Sequence, residues 1–300
     1  MSLWLILRGN LFTTETQRHK KDPSDFEKET DLLSASLSTE SVERYEREGI
    51  LFPIGVLSEA EVEQYRDALE SVAASCRGES YRRRFDNLHL FFPWAYRLAT
   101  SEALLDAVES ILGPDLVIDG TLVFYKPPHD SSYASWHQDS VYSGWHLTPS
   151  VSAWIALTPS ERNNGCMRVI PGSHQDGLLD HDNVDDPNLL NRRGERLRHD
   201  VDESRAVDVV LSPGEMSLHH TNVVHGSNAN GSDEPRIGFI VRFVTNRTTN
   251  RDRKVMRVRG KADCSHLRLA SPPVEEDLHE AVMKWRETMD SARQAQSVVR

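Results

Sequence analysis

Cysteine is scarce in this 300-residue chain: Cys76, Cys166 and Cys264 are its three, odd in number and far apart. That excludes a disulfide framework and fits a reducing cytoplasm. No apolar run approaches the roughly 18 residues of a membrane span. The apolar start Leu3-Trp4-Leu5-Ile6-Leu7 stops at Arg8 with no basic residue before it, so it reads as neither span nor signal peptide. Positive charge is also in deficit, with 35 Lys+Arg against 46 Asp+Glu and a formal charge of −11. A nucleic-acid partner is therefore disfavoured, because affinity for a polyanion comes largely from Lys and Arg releasing counterions. There is no internal repeat, no low-complexity tract and no HExxH zinc-hydrolase motif. What is present, 38% hydrophobic and 27% charged residues, suits a globular chain with a large core. The length allows one or two domains and forces no split.

The pattern divides the chain. Residues 1–40 are mostly polar and read as a flexible tail; 41–300 read as one domain. Its first part, 41–113, is helical. Ser41 to Glu48 forms a helix stopped by Gly49, and Ile50 to Pro53 is extended. Ser58 and Glu61 form a capping box for a helix carrying Val62, Tyr65, Leu69, Val72 and Ala73, and Leu104, Leu105, Val108, Ile111 and Leu112 mark another before Gly113-Pro114. Over 114–250 short β-branched and aromatic runs alternate with Gly, Pro, Asn and Asp, the texture of an all-β sandwich or barrel. Within it 175–205 turns polar, and so long an excursion is a functional lid or a solvated loop. A C-terminal amphipathic helix is expected over 275–292, with Leu278, Val282 and Trp285 on one side.

In Trp136-His137-Gln138-Asp139, positions 137 and 139 share one face of a strand, so a short element delivers an imidazole and a carboxylate to one point. His225 supplies a second imidazole, and Arg236 follows eleven residues later. Two histidines and a carboxylate on one face of an iron leave open positions, the pattern of non-haem Fe(II) oxygenases, and an arginine nearby clamps a dicarboxylate. The plainer alternatives are a structural His-Asp pair, with or without Zn(II), and a buried, satisfied His225. His219 and His220 point to opposite faces of a strand; one serves the site and one the surface, and His220 is assigned to the pocket. His89, Tyr142 and Trp145 are further pocket candidates, with core packing as the alternative, and Trp136 is read the same way. The run Arg82-Arg83-Arg84 either meets an anionic substrate or is a solvated face.

These motifs occur in a recognisable order: Glu48-Gly49, Asn87-Leu88-His89, the 136–139 motif, Trp154, Asn163 to Met167, Pro171-Gly172-Ser173-His174, Pro213-Gly214, then His219-His220 to Arg236. In that order the chain resembles the phytanoyl-CoA dioxygenase family of Fe(II)- and 2-oxoglutarate-dependent oxygenases, including bacterial members acting on small metabolites, over about 41–245. The resemblance implies a mainly β fold with flanking helices, a double-stranded β-helix (jelly-roll, cupin-like) barrel. It implies iron ligands His137, Asp139 and His225, and 2-oxoglutarate contacts Gln138, Trp154, Ser227 and Arg236. The implied cofactors are Fe(II), 2-oxoglutarate and O2, and the implied activity is a dioxygenase hydroxylating a C–H bond of a small organic metabolite with release of succinate and CO2. The rivals are a rerouted outcome of the same chemistry (desaturation, epimerisation, halogenation) and a non-catalytic barrel that binds a metal or ligand. The expected partner is a small-molecule substrate, with no nucleic acid and no membrane.

Overall fold

The computed structural model describes residues 36–76, 84–142, 148–190, 195–249, 253–275 and 277–297. The expected tail up to residue 35, Arg82, Arg83 and Trp145 lie outside the described residues.

Helix α1 (Thr39–Glu48) begins where the Ser38 hydroxyl accepts from Ser41 N–H, and ends at Gly49, whose φ of 72° allows its N–H to reach Tyr45 O. Strand β1 is Ile50–Gly55. Helix α2 (Glu59–Ser75) carries the expected capping box, with Ser58 N–H donating to Glu61 Oε2 at 2.8 Å. Strand β2 (Arg84–Asp86), helix α3 (Pro93–Ala99) and helix α4 (Glu102–Leu112) follow. Then come β3 (Leu116–Lys126), β4 (Ala134–His137), β5 (Ser150–Ala156), β6 (Met167–Val169), β7 (His181–Asn183), β8 (Glu195–Leu197), β9 (Val207–Val209), β10 (Glu215–His220), β11 (His225–Ser227) and β12 (Arg236–Thr245). The short strands β13 (Lys254–Arg257) and β14 (Arg268–Leu269) and helix α5 (Leu278–Ser297) complete the order. None of these helices is long and apolar enough to cross a membrane.

The large sheet runs β1-β10-β5-β12-β3-β13-β14, with β2 also on β3, and a smaller sheet runs β4-β11-β6-β9. Both faces of the large sheet are covered. Its outer-face residues Val123, Ala153, Ile155, Phe239, Val241 and Phe243 pack with Leu69, Leu98, Leu104 and Val108 of the helices, and with Trp285 of α5. Burying each such side chain contributes on the order of 1.5–3 kcal/mol. Trp285 stacks on Phe85 with ring centroids 5.8 Å apart, and its Nε1–H donates to Asp86 O. Double coverage leaves every residue of β5 buried, so its sequence is a continuous run and not an alternation. Parity then sorts side chains: Leu122, Trp154 and Ile240, neighbours in register, meet Met167, Val169 and Val209 between the sheets.

This is the expected jelly roll, but its sheets face each other without a shared strand, so the barrel is open. The strands of the smaller sheet are only three or four residues long, too short to curl onto the larger one. The polar excursion is also more regular than a solvated loop: β7 and β8 pair antiparallel, Arg198 bridges Asp180 and Asp182, and Ser135 on β4 donates to Glu195 O at 2.5 Å.

Candidate metal centre

Polar groups interrupt the apolar space between the sheets at two places. At the first, His137 closes β4 and His225 opens β11, and the two are direct partners in the antiparallel register, with ring centroids 4.2 Å apart. Asp139 enters the same space from the 3-10 turn that follows, with Oδ1 3.9 Å from His137 Nε2. Ligand atoms of these three buried residues lie within 4.8 Å of one another, a grouping able to hold a metal ion.

The backbone selects the tautomers. His137 Nδ1 is 2.7 Å from Ser135 O and His225 Nδ1 is 3.0 Å from Val223 O. A carbonyl only accepts, so each Nδ1 carries the proton and each Nε2 presents a lone pair. Burial lowers the pKa of His137 to about 4 and that of His225 well below its ordinary value, so both rings are neutral at pH 7. Burial opposes ionisation of Asp139, but the Arg242 guanidinium, followed by His219 and His225, outweighs it and holds the carboxyl well below the usual range. Ser152 donates to Asp139 Oδ2 at 2.7 Å and Arg242 to Oδ1 at 2.9 Å. The site is a carboxylate and two neutral imidazoles, the donor set of a divalent cation with N/O preference.

The second place holds two basic side chains. Arg236 opens β12 and Lys126 closes β3, again register partners, 3% and 0% exposed. The Arg236 guanidinium lies 4.8 Å over the Trp154 ring and its Nη1 donates to Gly165 O at 2.6 Å. Gly238 makes room for that ring, since a Cβ there would fall within the indole. Ser227, at the end of β11, takes a 2.8 Å hydrogen bond from Lys126 Nζ.

The structure thus gathers His137, Asp139 and His225 at one point, and Trp154, Ser227 and Arg236 around the other. Gln138 is not among them. Its side chain donates to Gly177 O and Asn222 O and accepts from Leu179 N–H, so it ties loops together on the other side of β4, where strand alternation sends it. The same alternation corrects His220: it stacks beside His174 with centroids 5.1 Å apart, and it is His219 that enters the site, 3.4 Å from Asp139 Oδ2. His89 is buried against Thr121, on the helix-facing side of β3, and belongs to the packing. Trp136 faces outward, with Glu203 and Arg168 as neighbours. Arg84 is held by Asp86 and Leu190 O. Tyr142 ends the turn that Asp139 begins. Sequence reading passed over Lys126, Ser152 and Arg242 as site residues, and chose His220 where the structure turns His219 inward. The parity that places Trp154 inside also places Ser152 there, and Leu122 and Phe124 predict Lys126 in the same way.

Known proteins resemble this chain in sequence and fold. A curated relative, the probable alpha-ketoglutarate-dependent hypophosphite dioxygenase of Stutzerimonas stutzeri, is 28% identical over 60% of this chain and 60% of its own length. The ectoine dioxygenase of Halomonas elongata is 28% identical over 72% of this chain and 71% of its own. The solved structure of the non-heme monooxygenase ThoJ in its apo form is 34% identical, with a TM-score of 0.71 over 85% of this chain and 96% of that one. The model of the family described as phytanoyl-CoA dioxygenase (PhyH) matches residues 45–238. Those residues contain both the histidine-carboxylate cluster and the buried basic pair, and the chain belongs to the phytanoyl-CoA dioxygenase family.

Proposed function

We propose that this protein is an Fe(II)- and 2-oxoglutarate-dependent dioxygenase that hydroxylates a C–H bond of a small organic metabolite, releasing succinate and CO2. The observation that carries the reading is the pairing of the two buried polar places: a His-Asp-His donor set and, across Trp154, an arginine with no carboxylate partner among the described residues. His137, Asp139 and His225 would hold the iron. When bound, iron with 2-oxoglutarate supplies the activation of O2 that no side chain provides.

The chain's own contribution is placement. Hydrogen bonds from Nδ1 to Ser135 O and Val223 O keep both imidazoles turned toward the metal, and Ser152 and Arg242 fix the Asp139 carboxylate. Arg236, with Ser227 and Trp154, receives the distal carboxylate of the co-substrate by a charge-assisted contact. Leu122 and Ile240 pack with Trp154 in the buried apolar cluster between the sheets. Asp139 fills the position that a halide would need, which favours hydroxylation over halogenation. Residues 41–300 act as one catalytic domain in this reading, and the small molecules named for the two curated relatives support a small-molecule substrate.

Anaerobic addition of Fe(II) and then 2-oxoglutarate tests the centre: a visible charge-transfer band is expected, and its absence overturns the reading. A panel of small metabolites scored for substrate-stimulated succinate then identifies the substrate.

A further inference from the structure

Lys126 is the most completely buried lysine or arginine among the described residues, 0% exposed, and none of its hydrogen-bond partners is a carboxylate. Nζ donates to Ser227 Oγ at 2.8 Å, to Gly165 O at 3.4 Å and to Asn228 O. All three acceptors are uncharged. The charged group across the strand pair is Arg236, of the same sign and bonded to the same Gly165 carbonyl. Asp130 is the nearby acid, but its carboxylate accepts from Ser132 N–H and Ser132 Oγ. Cys166, the remaining titratable neighbour, is a neutral thiol because burial pushes its pKa to about 11.

Two buried basic side chains side by side are costly to charge together, since each buried charge costs several kcal/mol unless directly paired. Burial, and then Arg236, lower the pKa of Lys126 to about 6 against the smaller opposing pull of Asp130. Without an anion beside it the amine is therefore largely neutral at pH 7, and a carboxylate arriving there would draw its proton back. Ser227 adds direction. Its oxygen accepts from Lys126, which leaves its own O–H to donate, and no acceptor for that proton is present among the described residues.

We propose that Lys126 is a positioning residue for the distal carboxylate of 2-oxoglutarate, fixing the Ser227 hydroxyl as a donor toward it and adding a second positive charge beside Arg236. This inference rests on the dioxygenase reading above. It assigns the lysine a task that holding the Gly165 and Asn228 carbonyls alone would not require.

The test is calorimetric binding to the Mn(II)-loaded full chain of two probes, 2-oxoglutarate and 2-oxopentanoate, which lacks the distal carboxylate. K126M is expected to weaken 2-oxoglutarate on the order of 10–100-fold, the size of one charge-assisted contact, and to leave 2-oxopentanoate within about threefold. K126R keeps the charge and retains most of the 2-oxoglutarate affinity. Should K126M fail to fold by circular dichroism, K126Q, which keeps a donor for Ser227 but no charge, carries the same comparison. Unchanged 2-oxoglutarate affinity overturns the proposal, and so does a proportional loss of both keto acids, which would make Lys126 a structural tie. Failure of the unmodified protein to bind 2-oxoglutarate would instead overturn the dioxygenase reading itself.

Discussion

Arg236→Met removes one guanidinium and keeps most of its volume, and its effects on the empty and the loaded protein should differ in size. In the structure Arg236 is 3% exposed, Nη1 has one hydrogen bond to Gly165 O at 2.6 Å, and Nε has no hydrogen-bond partner among the described residues. Burial lowers its pKa to about 10, so it is a cation at neutral pH. Without co-substrate the variant loses a hydrogen bond to a charged donor, about 1.5–3 kcal/mol, and also loses an uncompensated buried charge, a gain of similar size. The net change in stability should therefore stay within about 2 kcal/mol of zero. With co-substrate there is no such cancellation: removing one partner of a buried charge pair costs about 2–5 kcal/mol, or roughly 30- to 4,000-fold in Kd. Calorimetry on Mn(II)-loaded protein measures the second quantity, and thermal melts with and without 2-oxoglutarate measure both. A variant that binds 2-oxoglutarate within about threefold of the parent, and melts higher on adding it by the same increment, would refute the assignment.

His225→Ala should lose Mn(II) and Fe(II) affinity by more than the roughly 10–100-fold typical of a residue that only supports a ligand; equal titration would remove His225 from the metal site. Gly238→Ala puts a methyl where the Trp154 indole lies, so it should cost about 1–3 kcal/mol in urea denaturation and also weaken 2-oxoglutarate binding; unchanged stability with unchanged tryptophan fluorescence would contradict the packing described. Burial lowers the pKa of His89 to about 3 and of His220 to about 4. The unfolded chain, with imidazoles near 6.5, then binds protons that the folded chain refuses, so stability is full above about pH 6.5 and falls below it by up to about 1.4 kcal/mol per pH unit for each histidine. A melting temperature that stays flat from pH 7.5 to 5 would count against those buried neutral rings, and His89→Leu should reduce the slope.

Residue type and spacing were enough to read several features of this protein. Ser58 with Glu61 announces α2, Gly49 ends α1, and His137 with Asp139 two residues on predicts one shared face because strand side chains alternate. These are local regularities, and local chemistry enforces them. Tertiary structure decided what depends on which face of a strand is covered. His219 and His220 are adjacent and identical in type, and only the pairing of β10 with β5, which sets His219 opposite Ser152, turns the first toward Asp139 and the second toward His174. Gln138 left the site for the same reason, and its amide found three backbone partners on the far side of β4. Lys126 shares the strand parity of Leu122 and Phe124, but it becomes a site residue because β12 lies beside β3 in a register that sets Arg236 against it. A strand's alternation states that two faces exist, and pairing between strands distant in sequence decides which of them faces the site.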